Sequence, residues 1–238
     1  MIYVLYGFLF GCFIPYLARK LGKLISYASG YVWLKIFVPT HVLPFKQLKE
    51  NPQYMRLFYR YLMRSLGWGI FCAAVTWLFI ECFDNLYTPW YMVFLWILLL
   101  LVEVDKRFML LPDVLTLPLL ILGFGYAAAN GNWLIPSEPE IMSIASNSFL
   151  GAIFGYVMPT FASMLIAWKY PDAFGGGDIK LLAAIGAWVG LEAISFIILL
   201  SCVIFAVNCL ITKRRADAFG PSIVYATLIL QLLTQGFE

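Results

Sequence analysis

The chain has 238 residues, of which 63% are hydrophobic and only 12% carry a charge. A soluble domain has about 45–50% apolar and about 25% charged residues, so this composition excludes an ordinary soluble domain. The apolar stretches, such as 90–104 and 194–212, are continuous and do not alternate with polar residues, which favours membrane helices over barrel strands. The predicted fold class is therefore all-α, a polytopic transmembrane helical bundle.

About eight membrane segments follow one another along the chain, one of them short or broken. Their bounds are roughly 1–18, 67–83, 90–104, 114–130, 146–168, 179–190, 194–212 and 219–236. The sixth is too short for the ~20 residues that cross a bilayer as a helix, and Gly186 and Gly190 favour a break near its end. We therefore expect a first transmembrane helix at 1–18, a basic cytoplasmic loop at 19–66 and a main transmembrane bundle at 67–238.

The first segment is predicted to be a retained helix. A cleaved secretory signal carries positive charge before its apolar core. Here no charge precedes Arg19, and Lys20 and Lys23 follow it. The N-terminus of this helix is therefore expected to lie outside the cytoplasm.

Basic residues predict the orientation in the membrane. With eight crossings, all sixteen Lys and Arg residues can be assigned to one side, which the positive-inside rule makes the cytoplasm. This predicts a multi-pass membrane protein with both termini outside the cytoplasm. Nine of the basic residues lie in 19–66, which is either an ordinary positive-inside loop or, at 52–66, carries a basic amphipathic helix on the lipid headgroups. A nucleic-acid partner is not predicted.

Acidic residues at the ends of the apolar segments are the candidates for chemistry, because ionisable groups at membrane depth are costly and mark functional sites. Asp105 ends the third segment, where a helix dipole disfavours an anion, so either pairing with Lys106 or Arg107 or a functional role must explain it. Asp113 follows Pro112 and has the position of a helix N-cap.

Asp178 follows three glycines, Gly175, Gly176 and Gly177, and precedes a good helix-forming sequence. It is either a helix N-cap or a functional group beside a loop that another chain can approach closely. A phosphate-binding loop is weakly supported, because no strand precedes the glycines.

The three aspartates are thus predicted to lie at one membrane face. Two carboxylates held close together share a proton and can act as general acid and base on a water molecule. The single His41 excludes most Ser/His and Cys/His schemes, and no metal site is predicted. Transporters also use membrane aspartates as proton relays, so a small proton- or cation-coupled transporter is the alternative. A catalytically inactive partner-binding protein is a third.

Two long motifs resemble the bacterial type IV prepilin peptidases, which are GxGD intramembrane aspartyl proteases. One is the sequence from Gly175 to Gly190, GGGDIKLLAAIGAWVG. The other is Asp105 followed by LPD at 111–113, which ends eight residues after Asp105, and then by LTLPLL at 115–120. Phe219-Gly220-Pro221 is similar to the start of the family's last helix. The resemblance covers most of the chain and is densest from 102 to 190.

The resemblance implies that Asp105 and Asp178 are the catalytic pair, and that Asp113 is not catalytic. Gly175, Gly176, Gly177, Lys180, Pro112 and Asp113 are then the supporting motif residues. It further implies cleavage of the leader from a type IV prepilin or pseudopilin after a glycine, at the cytoplasmic membrane face. The partners would be the signal helix of that substrate and membrane lipid, and proteolysis would need no cofactor.

The chain departs from the family pattern between its first two segments. Many members carry paired C-x-x-C motifs there and also methylate the new N-terminus, whereas residues 19–66 contain no cysteine. The zinc-bound module is therefore not predicted. N-methylation is left open, and S-adenosylmethionine is a cofactor only if that activity is retained.

Overall fold

The computed structural model describes residues 2–24, 52–82, 88–130, 141–167, 175–213 and 218–235, and in these ranges every regular element is an α-helix. The helices are α1 (Ile2–Leu24), α2 (Pro52–Cys82), α3 (Thr88–Phe108), α4 (Asp113–Asn130), α5 (Ile141–Ala167), α6 (Gly176–Thr212) and α7 (Gly220–Gln235). The predicted all-α class is confirmed.

The eight expected segments correspond to seven helices in the described ranges. Segments 179–190 and 194–212 belong to one helical element, α6, so the count of eight separate helices is not confirmed. The predicted break is nevertheless present, because Gly190 has φ 82° and ψ −179°, a conformation that only glycine adopts readily. The helix of 52–66 is also present, but it continues without interruption into α2. Residues 25–51, the rest of the expected basic loop, lie outside the described ranges.

The chain divides into two compact units, Met1–Glu81 and Cys82–Glu238. In the first unit, α1 and α2 pack closely through small residues. A Cβ at Gly11 would lie 2.5 Å from the carbonyl oxygen of Trp68, and Ser65 donates a hydrogen bond to the carbonyl of Cys12. Small residues allow such backbone approach between helices in a membrane.

The second unit is built around α6, which packs against α4, α5 and α7, while α3 packs against α4 and α7. At its centre the fully buried indole of Trp188 donates a hydrogen bond to the carbonyl of Leu119 at 2.8 Å and stacks on Tyr126 at 5.2 Å. Phe94 of α3 lies 4.7 Å from the same indole ring. This aromatic cluster joins α3, α4 and α6, the three helices that carry the candidate aspartates.

Four of the described helical ranges are long and apolar enough to cross a membrane: Ile2–Leu24, Met55–Glu81, Ala145–Leu165 and Gly176–Thr212. Asp113–Ala129 and Gly220–Thr234 are shorter apolar helices. Large hydrophobic side chains such as Phe161, Met164 and Leu210 are more than half exposed, as expected for surfaces that face lipid. The chain is therefore a multi-pass helical membrane protein.

Candidate functional site

Asp105 lies in the last turn of α3 and is only 4% exposed. Its Oδ2 accepts a hydrogen bond of 2.9 Å from the backbone N–H of Gly220, the first residue of α7. A carboxylate at the C-terminus of its own helix is thus placed at the N-terminus of another, where the dipole favours an anion. This contact resolves the unfavourable position that the sequence indicates for Asp105.

The two cations that follow Asp105 bind other residues. Arg107 Nε lies 2.5 Å from Glu103 Oε1, an ion pair along one face of α3. Lys106 Nζ donates a hydrogen bond of 2.8 Å to the hydroxyl of Tyr225 and lies 5.3 Å from the centre of that ring. Pairing with a neighbouring cation is therefore not needed to explain the position of Asp105.

Asp178 is the third residue of α6 and not its N-cap. The N-cap is Gly175, which makes no side-chain capping bond, and the backbone N–H of Asp178 donates to the carbonyl of Gly175 at 3.1 Å. Asp178 Oδ1 is buried and has no hydrogen-bond partner among the described residues. Because a buried carboxyl oxygen without a partner is costly, this atom is a candidate for a functional role.

The segments that carry Asp105 and Asp178 meet. Leu111, in the short non-helical stretch between α3 and α4, packs so closely on Gly177 that a Cβ there would lie 2.9 Å from Leu111 Cβ. Pro112 precedes the start of α4, and its carbonyl accepts the N–H of Leu115 at 3.0 Å. The charge of Asp105 acts on the carboxyl group of Asp178, so the two acids belong to one electrostatic site.

Asp113 is held by Lys180 in the same region. Lys180 Nζ donates to Asp113 Oδ1 at 2.7 Å and to Oδ2 at 2.8 Å, and both side chains are 43% exposed. Asp113 is the first residue of α4, so the pair links the start of α4 to the first turn of α6. This ion pair occupies both carboxylate oxygens of Asp113 and distinguishes it from Asp178.

The three glycines before Asp178 have different surroundings. At Gly177, the space that a side chain would take is occupied by Leu111. A Cβ at Gly175 would lie 3.0 Å from Asp178 Oδ2. A Cβ at Gly176 would meet nothing within 4 Å. Close contact therefore requires glycine at position 177, whereas position 176 has open space.

The contact of Gly220 with Asp105 was not predicted. In the sequence, Phe219-Gly220-Pro221 is recognisable only as a motif, and the two partners are 115 residues apart. A glycine at the start of an apolar helix, next to a motif shared with a family of proteases, was the available signal. No group of three or more His, Cys, Asp or Glu side chains that could hold a metal occurs in the described ranges.

Comparison with known proteins identifies one family. The sequence profile of the type IV leader peptidase family matches residues 92–210, half of the chain. Proteins named prepilin leader peptidase/N-methyltransferase are similar over part of their length. The protein from Xanthomonas campestris pv. campestris is 38% identical over 135 residues, which are 52% of this chain and 42% of that protein.

The protein of the same name from Vibrio cholerae is 27% identical over 176 residues, 71% of this chain and 64% of that protein. The one from Pseudomonas aeruginosa is 33% identical over 149 residues, 58% of this chain and 47% of that protein. The aligned part of the chain thus spans about half the length of these curated relatives. No solved structure matches the chain.

Proposed function

Because the chain belongs to the type IV leader peptidase family, we propose that it is an intramembrane aspartyl endopeptidase that removes the leader from type IV prepilins or pseudopilins. Its location would be the bacterial inner membrane, with both termini outside and the site at the cytoplasmic face. The relatives' printed names and the family match support the substrate class. The arrangement of basic residues supports the orientation.

The observation that carries this proposal is the arrangement of Asp105 and Asp178. They lie on different helices, α3 and α6, the charge of one acts on the other, and the contact between Leu111 and Gly177 joins their segments. Two such carboxyl groups can share one proton and hold a water molecule against a peptide carbonyl. The pair then performs general acid and base catalysis without a separate nucleophile.

The surrounding residues would position this pair. Lys180 binds Asp113 and links the start of α4 to the first turn of α6, so the proposed pairing of acids does not involve Asp113. Exposed Met109 and Leu110, in the stretch next to Gly177, would contact the segment of the signal helix that must unwind before cleavage. The proposal covers hydrolysis alone, and S-adenosylmethionine would be required only for a retained N-methylation.

The test is cleavage of a purified prepilin by the chain in membranes or nanodiscs. Asp105→Asn and Asp178→Asn preserve side-chain shape but remove the ionisable acid, so each should reduce cleavage by at least about 10³-fold. Asp113→Asn is the matched control and should retain most of the activity, since Asp113 is an ion-pair partner.

The proposal is wrong if either Asp105→Asn or Asp178→Asn cleaves at the parent rate. Proton or cation flux in vesicles that depends on these aspartates, without any prepilin cleavage, would favour the transporter instead.

A further inference from the structure

We propose that the backbone N–H of Gly220 holds Asp105 as the ionised member of the pair, so that Asp105 is the general base and Asp178 the general acid. Gly220 is then a positioning residue, because it acts through Asp105. This inference rests on the proposed hydrolytic function and assigns a distinct role to each carboxyl group.

Asp105 accepts a hydrogen bond from the start of α7. Gly220 N–H lies 2.9 Å from Asp105 Oδ2 in a buried contact, and Gly220 is the first residue of α7. A hydrogen bond from an N–H group favours the charged form of a carboxylate, and the N-terminal end of a helix dipole acts in the same direction. The start of α7 therefore stabilises the ionised form of Asp105.

The residue type at position 220 is restricted by its contact with Asp105. A Cβ built there would lie 2.6 Å from Asp105 Oδ2 and 3.1 Å from its Cγ. The backbone itself does not demand glycine, since Gly190 is the glycine with positive φ among the described residues, and alanine is the better helix former. Glycine is therefore required at 220 because the carboxylate of Asp105 occupies the space of a side chain.

Asp178 has no comparable donor among the described residues. Its buried Oδ1 accepts no hydrogen bond from the described residues, and the N-cap Gly175 supplies no side-chain donor. The dipole of α6 also favours an anion at Asp178, but a direct hydrogen bond from an N–H to a carboxylate is the stronger effect. When one proton is shared by the pair, it is therefore held by Asp178 and can be donated.

Other charged and titratable groups lie on α3 itself, on α4 and α7, which pack against α3, and on α6, which packs against α4 and α7. They are Glu103, Lys106 and Arg107 on α3, Asp113 on α4, Asp178 and Lys180 on α6, and Tyr225 on α7. Glu103 is paired with Arg107, and Asp113 with Lys180. Lys106 is bound to the Tyr225 hydroxyl at 2.8 Å.

The chemical step balances with these roles. Asp105 takes a proton from water as the water oxygen bonds to the scissile carbonyl carbon, and Asp178 gives its proton to the carbonyl oxygen. In the resulting gem-diol, protonated Asp105 gives its proton to the amide nitrogen, the C–N bond breaks, and one hydroxyl returns a proton to Asp178. The pair ends as it began, with Asp105 ionised and Asp178 protonated.

The test is the pH dependence of prepilin cleavage by full-length Gly220→Ala, with Gly125→Ala as the control. A Cβ at Gly125 meets nothing within 4 Å, so this variant adds the same methyl group to α4 without a contact. In Gly220→Ala the backbone N–H remains, but the added methyl group would lie 2.6 Å from Asp105 Oδ2 and must displace this carboxylate from the N–H that favours its charged form. The acidic limb of kcat/KM should therefore move to higher pH by about one unit, with kcat reduced more than KM is changed.

Should Gly220→Ala fail to fold, cell-free synthesis with glycolic acid at position 220 replaces the N–H by an oxygen and adds no atom. The same shift of the acidic limb is expected, while the amide parent and Gly125→Ala keep the original profile. An unchanged profile in the folded Gly220→Ala chain, or in the ester chain, overturns the assignment of roles. The proposed function would survive that result if Asp105→Asn still abolished cleavage.

Discussion

Gly177 and Leu111 form a close contact between the two motifs of the candidate site. A Cβ at Gly177 would lie 2.9 Å from Leu111 Cβ and 3.3 Å from its carbonyl oxygen, so an added methyl group must displace the segment that follows Asp105. Catalysis by two acids depends on their separation, and small displacements of a reacting group are costly. The roles of these residues in holding the site are therefore open to direct test.

We predict that Gly177→Ala reduces kcat for prepilin cleavage by roughly tenfold or more, because a shift of several tenths of an ångström separates Asp105 from Asp178. Cleavage rates in nanodiscs, compared with Gly125→Ala, measure the effect. Parent-like kcat in Gly177→Ala would show that the Leu111 contact does not position the pair.

The ion pair between Asp113 and Lys180 should contribute little to stability. Both side chains are 43% exposed, and exposed pairs contribute about 0–1 kcal/mol after solvent screening. A double-mutant cycle with Asp113→Asn and Lys180→Gln, scored by thermal unfolding in detergent, should give a coupling free energy below about 1 kcal/mol. A coupling of several kcal/mol would mean that this pair is a main support of the site.

For single residues, the sequence alone predicted which residue types belong to the candidate site, but not which residues contact one another. It predicted that Asp105, Asp113 and Asp178 belong together, because charge at membrane depth is rare. It did not distinguish their partners. The N-cap interpretation of Asp178 was wrong because the glycine before the helix takes that position. The bond from Gly220 joins residues 115 positions apart, which local patterns do not report.

Helix α6 carries Asp178 in its first half, and its break at Gly190 is fixed by α5. Asn147 Oδ1 accepts the N–H of Leu191 at 3.0 Å, which is one of the donors that the break releases. A Cβ at Gly190 would lie 2.7 Å from Asn147 Nδ2. Ser148 also donates to the carbonyl of Ala187 at 2.5 Å, so α5 holds the helix just before the break.

We predict that Asn147→Ala lowers the apparent melting temperature in detergent, because Leu191 N–H loses its partner. The cost of a lost acceptor is about 1–2 kcal/mol, which corresponds to roughly 2–8 °C in a chain of this size. Asn147→Asp retains the acceptor oxygen and should lose less. Equal melting temperatures for Asn147→Ala and the parent would contradict this role for Asn147.

Gly190→Ala should be more damaging than Asn147→Ala. Alanine is strained at φ 82° and its methyl group would also collide with Asn147. We expect a destabilisation of at least about 2 kcal/mol, measured by the same thermal unfolding, with Gly125→Ala as control. A Gly190→Ala chain as stable as this control would indicate that the break relaxes without strain.

Secondary structure was well predicted because long apolar stretches and glycine breaks are strong local signals. Merging of the sixth and seventh segments was missed, since Gly190 allows either a loop or a sharp kink and only packing against α5 selects between them. The length of α2 was also missed, because its first turns are basic and amphipathic while its later turns are apolar.

In the whole molecule, α6 is too long to cross a bilayer as one straight helix. Its 37 residues would extend about 55 Å, against a hydrocarbon core of about 30 Å. The break at Gly190 divides it into a half of about 21 Å before the glycine and one of about 33 Å after it. The proposed eight crossings require the chain to change direction at Gly190. Lys180 before this residue and Lys213 after it then both lie on the cytoplasmic side.

Reporter fusions test this orientation. Alkaline phosphatase fused after Glu238 should be active and green fluorescent protein dark, because the C-terminus is proposed to lie outside the cytoplasm. Fusions after Lys213 should give the opposite pattern. A fluorescent fusion at Glu238 would place the C-terminus in the cytoplasm. This result would contradict the change of direction at Gly190 and the proposed eight crossings.

The most direct measurement of the central claim is the intact mass of a prepilin co-expressed with the chain in a strain that lacks its own leader peptidase. We predict that the parent chain lowers the mass by that of the leader, that Asp105→Asn and Asp178→Asn leave the prepilin full-length, and that any added methyl group appears as a separate increment. Full-length prepilin with the parent chain, or leader loss with either Asn variant, would contradict hydrolysis by this pair of aspartates.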